Sequence, residues 1–281
     1  MPTLKELLRA GEQLLKDGGV DCAKIDAQLL LSHVLGCNRS ALYLRASDEV
    51  LPRQLLKFFD AVHMRRRRVP LQYVIGATEF YGVRLDIDKN VLIPRHETEE
   101  LVDLLVQRLK SRKINSILDL GTGSGAIAIA LAKNFPTADV LAIDLCPKVL
   151  AVARKNVAKN GVGNVTFVRS NWFEQVVGTF DVIVANPPYL SFEEWDATQD
   201  EIKFFEPKLA LVADNGGLND IFKIMENAGK FLARDGILAI ETGSEQHEKI
   251  LKFSKKYFDT CESVKDMCKK DRFIFAQNIP V

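Results

Sequence analysis

From Glu97 onward the chain alternates between short apolar runs and longer amphipathic ones, and this alternation limits it to one architecture. ETEELVDLLVQRLK reads as a helix and SILDLG as a buried strand; SGAIAIALAKNF is a helix and DVLAIDL a strand. The helix PKVLAVARKNVAKN, the strands NVTFVRS and FDVIVANPPY, the helix LNDIFKIMENAGKFLA and the strand GILAIET continue the pattern. A helix over SEQHEKILKFSKKY and strands near Cys261–Lys265 and Arg272–Gln277 complete it. Apolar runs too short for a helix are strands buried on both faces. Strands that alternate with helices form a mostly parallel sheet, here of seven strands, in an α/β fold covered on both sides.

The first 70 residues carry a different period. Leu4, Leu7, Leu8, Leu14 and Leu15 recur at helical spacing. A second helix is expected over Ile25–Leu35, with Asp21 as N-cap and Gly36 as the stop, and a third over Leu51–Arg68 with Pro52 in its first turn. From Val69 to Pro94 the residues are β-branched and aromatic, punctuated by Gly76 and Gly82, which reads as a β-hairpin. The expected division is a small helical domain over 1–70, a hairpin linker over 71–93 and an α/β domain over 94–281.

Charge and cysteine usage narrow the function classes. The 38 basic and 37 acidic side chains leave a net charge of +1, which argues against a protein that coats nucleic acid by bulk charge. Residues 1–72 carry 12 basic and 8 acidic groups, and the remainder 26 and 29, so the α/β part is net acidic. The five cysteines are scattered without a CxxC pair, so neither a zinc nor a disulfide framework is expected, and a reducing cytoplasm is the default compartment. No apolar run reaches the roughly 18 residues of a membrane span. The amphipathic start MPTLKELLRAGEQLL does not read as a signal peptide. No metal is expected: His33, His63 and His247 lack ligand-spaced companions and read as structural or surface residues.

Ile117-Leu118-Asp119-Leu120 runs into Gly121-Thr122-Gly123-Ser124-Gly125, and a helix follows at once. Such a turn lets a ligand approach bare backbone N–H groups at the positive end of a helix. The next strand ends in Asp144, where a carboxylate accepts hydrogen bonds from the ribose hydroxyls of a nucleoside cofactor. Gly121-x-Gly123-x-x-Ala126 also satisfies the dinucleotide pattern, so an NAD-dependent oxidoreductase is a rival. Gly125 and Asp119 favour a cofactor whose amino-acid tail, not a pyrophosphate, lies over the turn.

A dehydrogenase has no use for the second motif. Asn186-Pro187-Pro188-Tyr189 sits at the end of the strand Phe180–Ala185, so it faces the same crevice as the glycine turn. Two prolines stiffen the turn and withdraw two donors. It can therefore present the Asn186 carboxamide oxygen and the Pro187 carbonyl to the two hydrogens of an sp² –NH₂ group, with Tyr189 stacked on the plane that carries the nitrogen. Pulling those hydrogens out of plane aims the nitrogen lone pair at an electrophile, and positioning supplies most of the rate. The electrophile that fits the glycine site is the methyl group of S-adenosylmethionine.

These motifs resemble an N-methyltransferase of the class I S-adenosylmethionine-dependent, Rossmann-like fold. Further segments narrow the resemblance: Leu92-Ile93-Pro94-Arg95-His96-Glu97-Thr98-Glu99, Pro70–Gly76 with Phe80-Tyr81-Gly82, Asn171-Trp172-Phe173, and Phe205–Leu211. Together they resemble the HemK/PrmC-type protein-glutamine methyltransferases, from about residue 4 to 277. The resemblance implies transfer of methyl to the amide nitrogen (N5) of the Gln in the Gly-Gly-Gln tripeptide of class 1 peptide chain release factors, modulating translation termination. It implies a monomer whose helical domain recognises the protein substrate, with no membrane and no stable nucleic-acid partner. Gly121, Thr122, Gly123, Ser124, Gly125, Asp144, Trp172 and Asn186 would hold the cofactor, released as S-adenosylhomocysteine. Asn186, Pro187, Pro188 and Tyr189 would hold the substrate glutamine, Asn186 and Pro187 as its catalytic acceptors. Arg95, Thr98 and Glu206 would line the site. The chain departs from the family pattern at Asn171, usually Asp; at His96, often Pro; and over Lys265–Lys269, where a glycine is frequent. The alternatives are a ribosomal-protein glutamine or an adenine-N6 or cytosine-N4 nucleic-acid acceptor.

Three other features invite interpretation. Arg65–Arg68 is either a solvated helix end or a patch that docks an acidic face of the release factor. Trp195, in the polar stretch SFEEWDATQD, belongs to a mobile lid or a plain surface loop. Cys146 is expected to pack rather than react.

Overall fold

The computed structural model describes residues 1–278 as two compact units; residues 279–281, the last three of the expected α/β domain, lie outside the described residues. The helical unit comprises Met1–Ala77 and, from much further along the chain, Gln199–Phe205. Its elements are α1 (Leu4–Asp17), α2 (Ala23–Leu35), α3 (Arg39–Leu44), α4 (Pro52–Arg66), α5 (Leu71–Ile75) and, in the distant segment, the helix over Asp200–Phe205.

Local chemistry accounts for these boundaries. Thr3 Oγ1 accepts the Glu6 N–H at 3.3 Å while Glu6 accepts the Thr3 N–H at 2.8 Å, a reciprocal cap that starts α1. Gly36 ends α2 in a left-handed conformation, as expected. The N-cap of α2 is Cys22, which makes no side-chain cap bond, and not Asp21. Leu4, Leu7, Leu15, Leu30, Leu31, Leu42, Phe58 and Val62 form the core of the unit. Gly11 lets α1 approach α4: a β-carbon there would meet the Phe58 ring at 2.5 Å.

The arginine run is not a uniform surface patch. Arg65 is buried; its Nε donates to Asp26 Oδ2 at 2.7 Å and its Nη1 to Glu201 Oε1 at 2.9 Å. Arg68 donates to Glu201 Oε2 at 2.7 Å and also to the Gly19 carbonyl. Burial works against the Glu201 carboxylate, but hydrogen bonds from Arg65 and Arg68 prevail and hold it below the ordinary range. Both sequence readings of the run fail for Arg65 and Arg68, which hold the 199–205 segment inside the helical unit. Arg66 and Arg67 are exposed.

The second unit comprises Thr78–Thr198 and, among the described residues, 206–278. It opens with a two-stranded hairpin, β1 (Ala77–Phe80) and β2 (Val83–Asp86). The hairpin is narrower than the expected 71–93, because Leu71–Ile75 is helical and Gly76, at φ +74°, ends that helix. The fully buried Asn156 joins the hairpin to the glycine turn: it accepts the Asp86 N–H at 2.8 Å and donates to the carbonyls of Asp86 and Ser124, both at 2.9 Å.

The remaining strands are β3 (Ser116–Leu120), β4 (Asp139–Asp144), β5 (Val165–Arg169), β6 (Phe180–Ala185), β7 (Leu232–Glu241), β8 (Thr260–Lys265) and β9 (Asp271–Gln277). They form one sheet of order β5-β4-β3-β6-β7-β9-β8, parallel as far as β7. β9 runs antiparallel to both β7 and β8. This is the seven-stranded, mostly parallel sheet expected from the alternation. Its longer helices are α6 (His96–Leu109), α7 (Ala126–Asn134), α8 (Pro147–Lys159), and those over Asn219–Ala228 and His247–Ser254. Among the described residues no helix is long and apolar enough to cross a membrane.

Candidate active site

Strand register lines up the functional residues along one edge of the sheet. Leu120 of β3 pairs with Ile143 of β4 and Ala185 of β6, and Ala185 pairs with Ile240 of β7. The next residue on each strand is Gly121, Asp144, Asn186 or Glu241. The chain leaves β3 toward β4 on one side and returns to β6 on the other, so these residues border the crevice that such a reversal opens.

Gly121, Gly123 and Gly125 take φ of +72°, +57° and +85°, a backbone that side chains resist. A β-carbon on Gly121 would stand 3.6 Å from the Trp172 ring, so the glycine keeps a space above the turn that an aromatic flanks. The indole Nε1 donates to Asp220 Oδ1 at 3.2 Å. Asp144 accepts the N–H groups of Gly123 at 3.2 Å and Cys146 at 3.0 Å, leaving acceptor capacity for two further donors. Burial raises its carboxyl against the backbone N–H groups of Cys146, Gly123 and Leu145. Asp119, fully buried beneath the turn, accepts the Thr122 hydroxyl at 2.6 Å through Oδ2; among the described residues no partner lies within hydrogen-bonding geometry of its buried Oδ1, although the Ala128 N–H favours the ionised carboxyl. Burial pushes its carboxyl up to about 7. Space over Gly121 and Gly123, a flanking indole, a carboxylate with spare acceptors and an unsatisfied buried oxygen fit a nucleoside that carries its own cationic donor. Asn171 donates to Glu174 at 2.7 Å on the exposed side. Cys146 serves as the N-cap residue of α8.

Asn186 hangs from a chain of hydrogen bonds. Its Nδ2 donates to Thr98 Oγ1 at 2.9 Å, and Thr98 Oγ1 donates to Glu241 Oε2 at 2.6 Å. Tyr189 OH donates to Glu241 Oε1 at 3.2 Å. Burial raises Glu241 to about 7, opposed by the Thr98 bond and the Arg272 charge. Burial and the Glu241 charge push the Tyr189 phenol up, so it stays a donor. Among the described residues, nothing donates to Asn186 Oδ1.

Arg95 pairs with Glu206 at 2.6 Å, and Glu206 also accepts the Ile93 N–H at 3.1 Å, which ties the segment before α6 to the one after 205. His96 is exposed beside Glu99. In the C-terminal departure, Lys269 takes φ +63°, a conformation that glycine adopts without strain. Trp195 lies in a short helix that Ser191 and Glu194 cap, and Lys208 Nζ lies 4.0 Å over its ring. His247 is buried between Thr242 and Ser263, a structural role.

Sequence reasoning missed Glu241, Gln246 and Gly217. In the sequence Glu241 is only the acid before the last residue of GILAIET; its importance follows from β7 lying beside β6. Gln246 and Gly217 back the Asn-Pro-Pro-Tyr turn, and no local pattern marks them.

A sheet of this order, with an open glycine turn after its first strand and an amide-bearing proline turn on the neighbouring strand, defines an α/β methyltransferase. Residues 6–76 match the family described as the PrmC N-terminal domain, and residues 96–219 the methyltransferase small domain. A release factor glutamine methyltransferase of Buchnera aphidicola subsp. Schizaphis graminum is 38% identical over 90% of this chain and 92% of its own length. One from Deinococcus radiodurans is 39% identical over 85% of each. The chain belongs to the release factor glutamine methyltransferase family. Its fold is also that of a 16S rRNA methyltransferase of T. thermophilus, solved with AdoMet and guanosine (TM-score 0.53, 18% identity, 72% of this chain and 49% of that one).

Proposed function

We propose that this chain transfers a methyl group from S-adenosylmethionine to N5 of the glutamine in the Gly-Gly-Gln tripeptide of class 1 peptide chain release factors. The observation that carries the reading is the placement of Asn186 next to the glycine turn, its nitrogen engaged by Thr98 and its oxygen free. The relatives' activity, on glutamine of release factors, supports the choice of acceptor over a nucleic-acid amine.

When bound, S-adenosylmethionine supplies an electrophilic methyl on a sulfonium. The chain's residues do the rest. The N–H groups of Gly121–Gly125, with Thr122 and Ser124, would cradle the cofactor; Asp144 would accept from its ribose hydroxyls and Trp172 would flank its adenine. Asn186 Oδ1 and the Pro187 carbonyl accept the two hydrogens of the substrate amide and draw them out of plane, which gives the nitrogen a directed lone pair. Pro188 and Tyr189 hold the amide plane. The proton leaves after the nitrogen has become cationic, so no base is required before attack. Catalysis here is positioning and electrostatic stabilisation. Residues 1–70 serve as the recognition domain of an enzyme that acts as a monomer in the cytoplasm, where its substrate works.

The test is transfer from labelled S-adenosylmethionine to a purified release factor and to a copy with the tripeptide Gln replaced by Ala. Label on the first alone is expected. Label on neither, with S-adenosylhomocysteine still bound, moves the acceptor to a ribosomal-protein glutamine or a nucleic-acid amine.

A further inference from the structure

An asparagine carboxamide has two ends of nearly the same size and opposite chemistry. If Asn186 turned its NH₂ outward, it would repel the substrate amide hydrogens that its oxygen is there to accept. Shape does not separate the two orientations, so hydrogen-bond partners must.

We propose that Thr98 and Glu241 are positioning residues that determine which end of the Asn186 carboxamide faces the substrate. The inference rests on the reading of Asn186 above. The argument is one of polarity along a chain. Glu241 is fully buried, and both its oxygens are approached by hydroxyls, Thr98 at 2.6 Å and Tyr189 at 3.2 Å. An ionised carboxylate only accepts, so both hydroxyls donate to it. Thr98 has one hydroxyl proton, and that proton is committed to Glu241. Toward Asn186, 2.9 Å away, Thr98 Oγ1 can therefore only accept. The carboxamide must present Nδ2 to Thr98 and Oδ1 to the crevice. Thr98 is itself buried, so water does not compete for the contact. Three elements supply the chain: the first turn of α6, the end of β7 and the turn after β6.

The test uses the full-length enzyme at about pH 8.5, above the titration of Glu241. Thr98→Val keeps the shape and removes the hydroxyl; Thr98→Ser restores it. Thr98→Val is expected to lower kcat by about ten- to a hundredfold, the scale of losing a partner that orients a functional side chain. Its affinity for S-adenosylhomocysteine should stay within about twofold, and Thr98→Ser should recover kcat to within about threefold. Glu241→Gln, whose carboxamide offers Thr98 a donor as readily as an acceptor, should also lower kcat. In ¹⁵N spectra the Asn186 side-chain amide protons, identified by their loss in Asn186→Ala, should exchange slowly in the wild type and Thr98→Ser and rapidly in Thr98→Val. Wild-type kcat in Thr98→Val, or a loss that Thr98→Ser does not restore, overturns the role of Thr98; wild-type kcat in Glu241→Gln overturns that of Glu241. If the wild type methylates no release factor, the substrate reading fails, and the amide exchange rates decide the inference alone.

Discussion

The side chain of Gln246 holds the backbone of Tyr189: Nε2 donates to the Tyr189 carbonyl at 2.8 Å and to the Gly216 carbonyl at 3.0 Å. Gly217, at φ +79°, packs behind the same carbonyl, where a β-carbon would fall 1.9 Å from the oxygen. Gly217→Ala must therefore displace the Asn-Pro-Pro-Tyr turn. A shift of about 1 Å in a positioning group costs on the order of a hundredfold in rate. Gly217→Ala and Gln246→Leu should both lose kcat/KM on that scale, while S-adenosylhomocysteine titrations stay near wild type.

Arg65 is the cation between two carboxylates in the helical unit. Arg65→Met leaves the buried Asp26 uncompensated and Glu201 with Arg68 alone, at a cost of about 3–5 kcal/mol. Urea unfolding followed by circular dichroism checks this. Glu201 is held below its ordinary range, so its stabilisation is present above the unfolded carboxylate value and is lost as pH falls through the folded one. The stability gap between Arg65→Met and the wild type should close in acid.

Gly11 sits inside α1, where alanine is the better helix former by about 1 kcal/mol. Packing reverses the sign. The added β-carbon would meet Phe58 Cζ at 2.5 Å, and Phe58 is fully buried. Overpacking of a closed core costs about 1–3 kcal/mol. Gly11→Ala should lower the melting temperature, and Phe58→Leu in the same chain should recover part of the loss.

Asp119 is a buried acid raised to about 7. A raised acid contributes most below its unfolded value, and the contribution is lost as pH rises through the folded one. The melting temperature of the ligand-free wild type should fall between about pH 4 and about pH 7 by more than that of Asp119→Asn. Equal slopes would mean that Asp119 ionises at its ordinary value.

The parts legible in the sequence were those whose cause is local. β3, β4, β6 and the end of β7 are continuous apolar runs because both faces are covered, and the glycine turn and Asn-Pro-Pro-Tyr carry their geometry in their residue types. Short helices escaped: α3 and the helices over Phe192–Asp196 and Asp200–Phe205 are too brief to show a period. The β-branched and aromatic residues of Leu71–Ile75 favour a strand, yet Pro70 and Gly76 bracket a single helical turn there. Arg65 looked like one of four equivalent charges because its partners lie 39 and 136 residues away. Glu241, Gln246 and Gly217 belong to the same class: each acts on Asn186 or Tyr189 through the tertiary fold, and nothing in its own neighbourhood announces it.

The 199–205 segment has a consequence for how this chain can be cut and recombined. Its residues belong to the helical unit, yet they are encoded in the middle of the methyltransferase half. A fragment ending at residue 77 would carry Arg65 and Arg68 without Glu201, and a grafted N-terminal half from a relative would inherit a foreign partner for both. The boundary between the halves is therefore not a point on the gene. Chimeras and truncations of this protein will behave as folded parts only when two separate stretches of sequence are exchanged together.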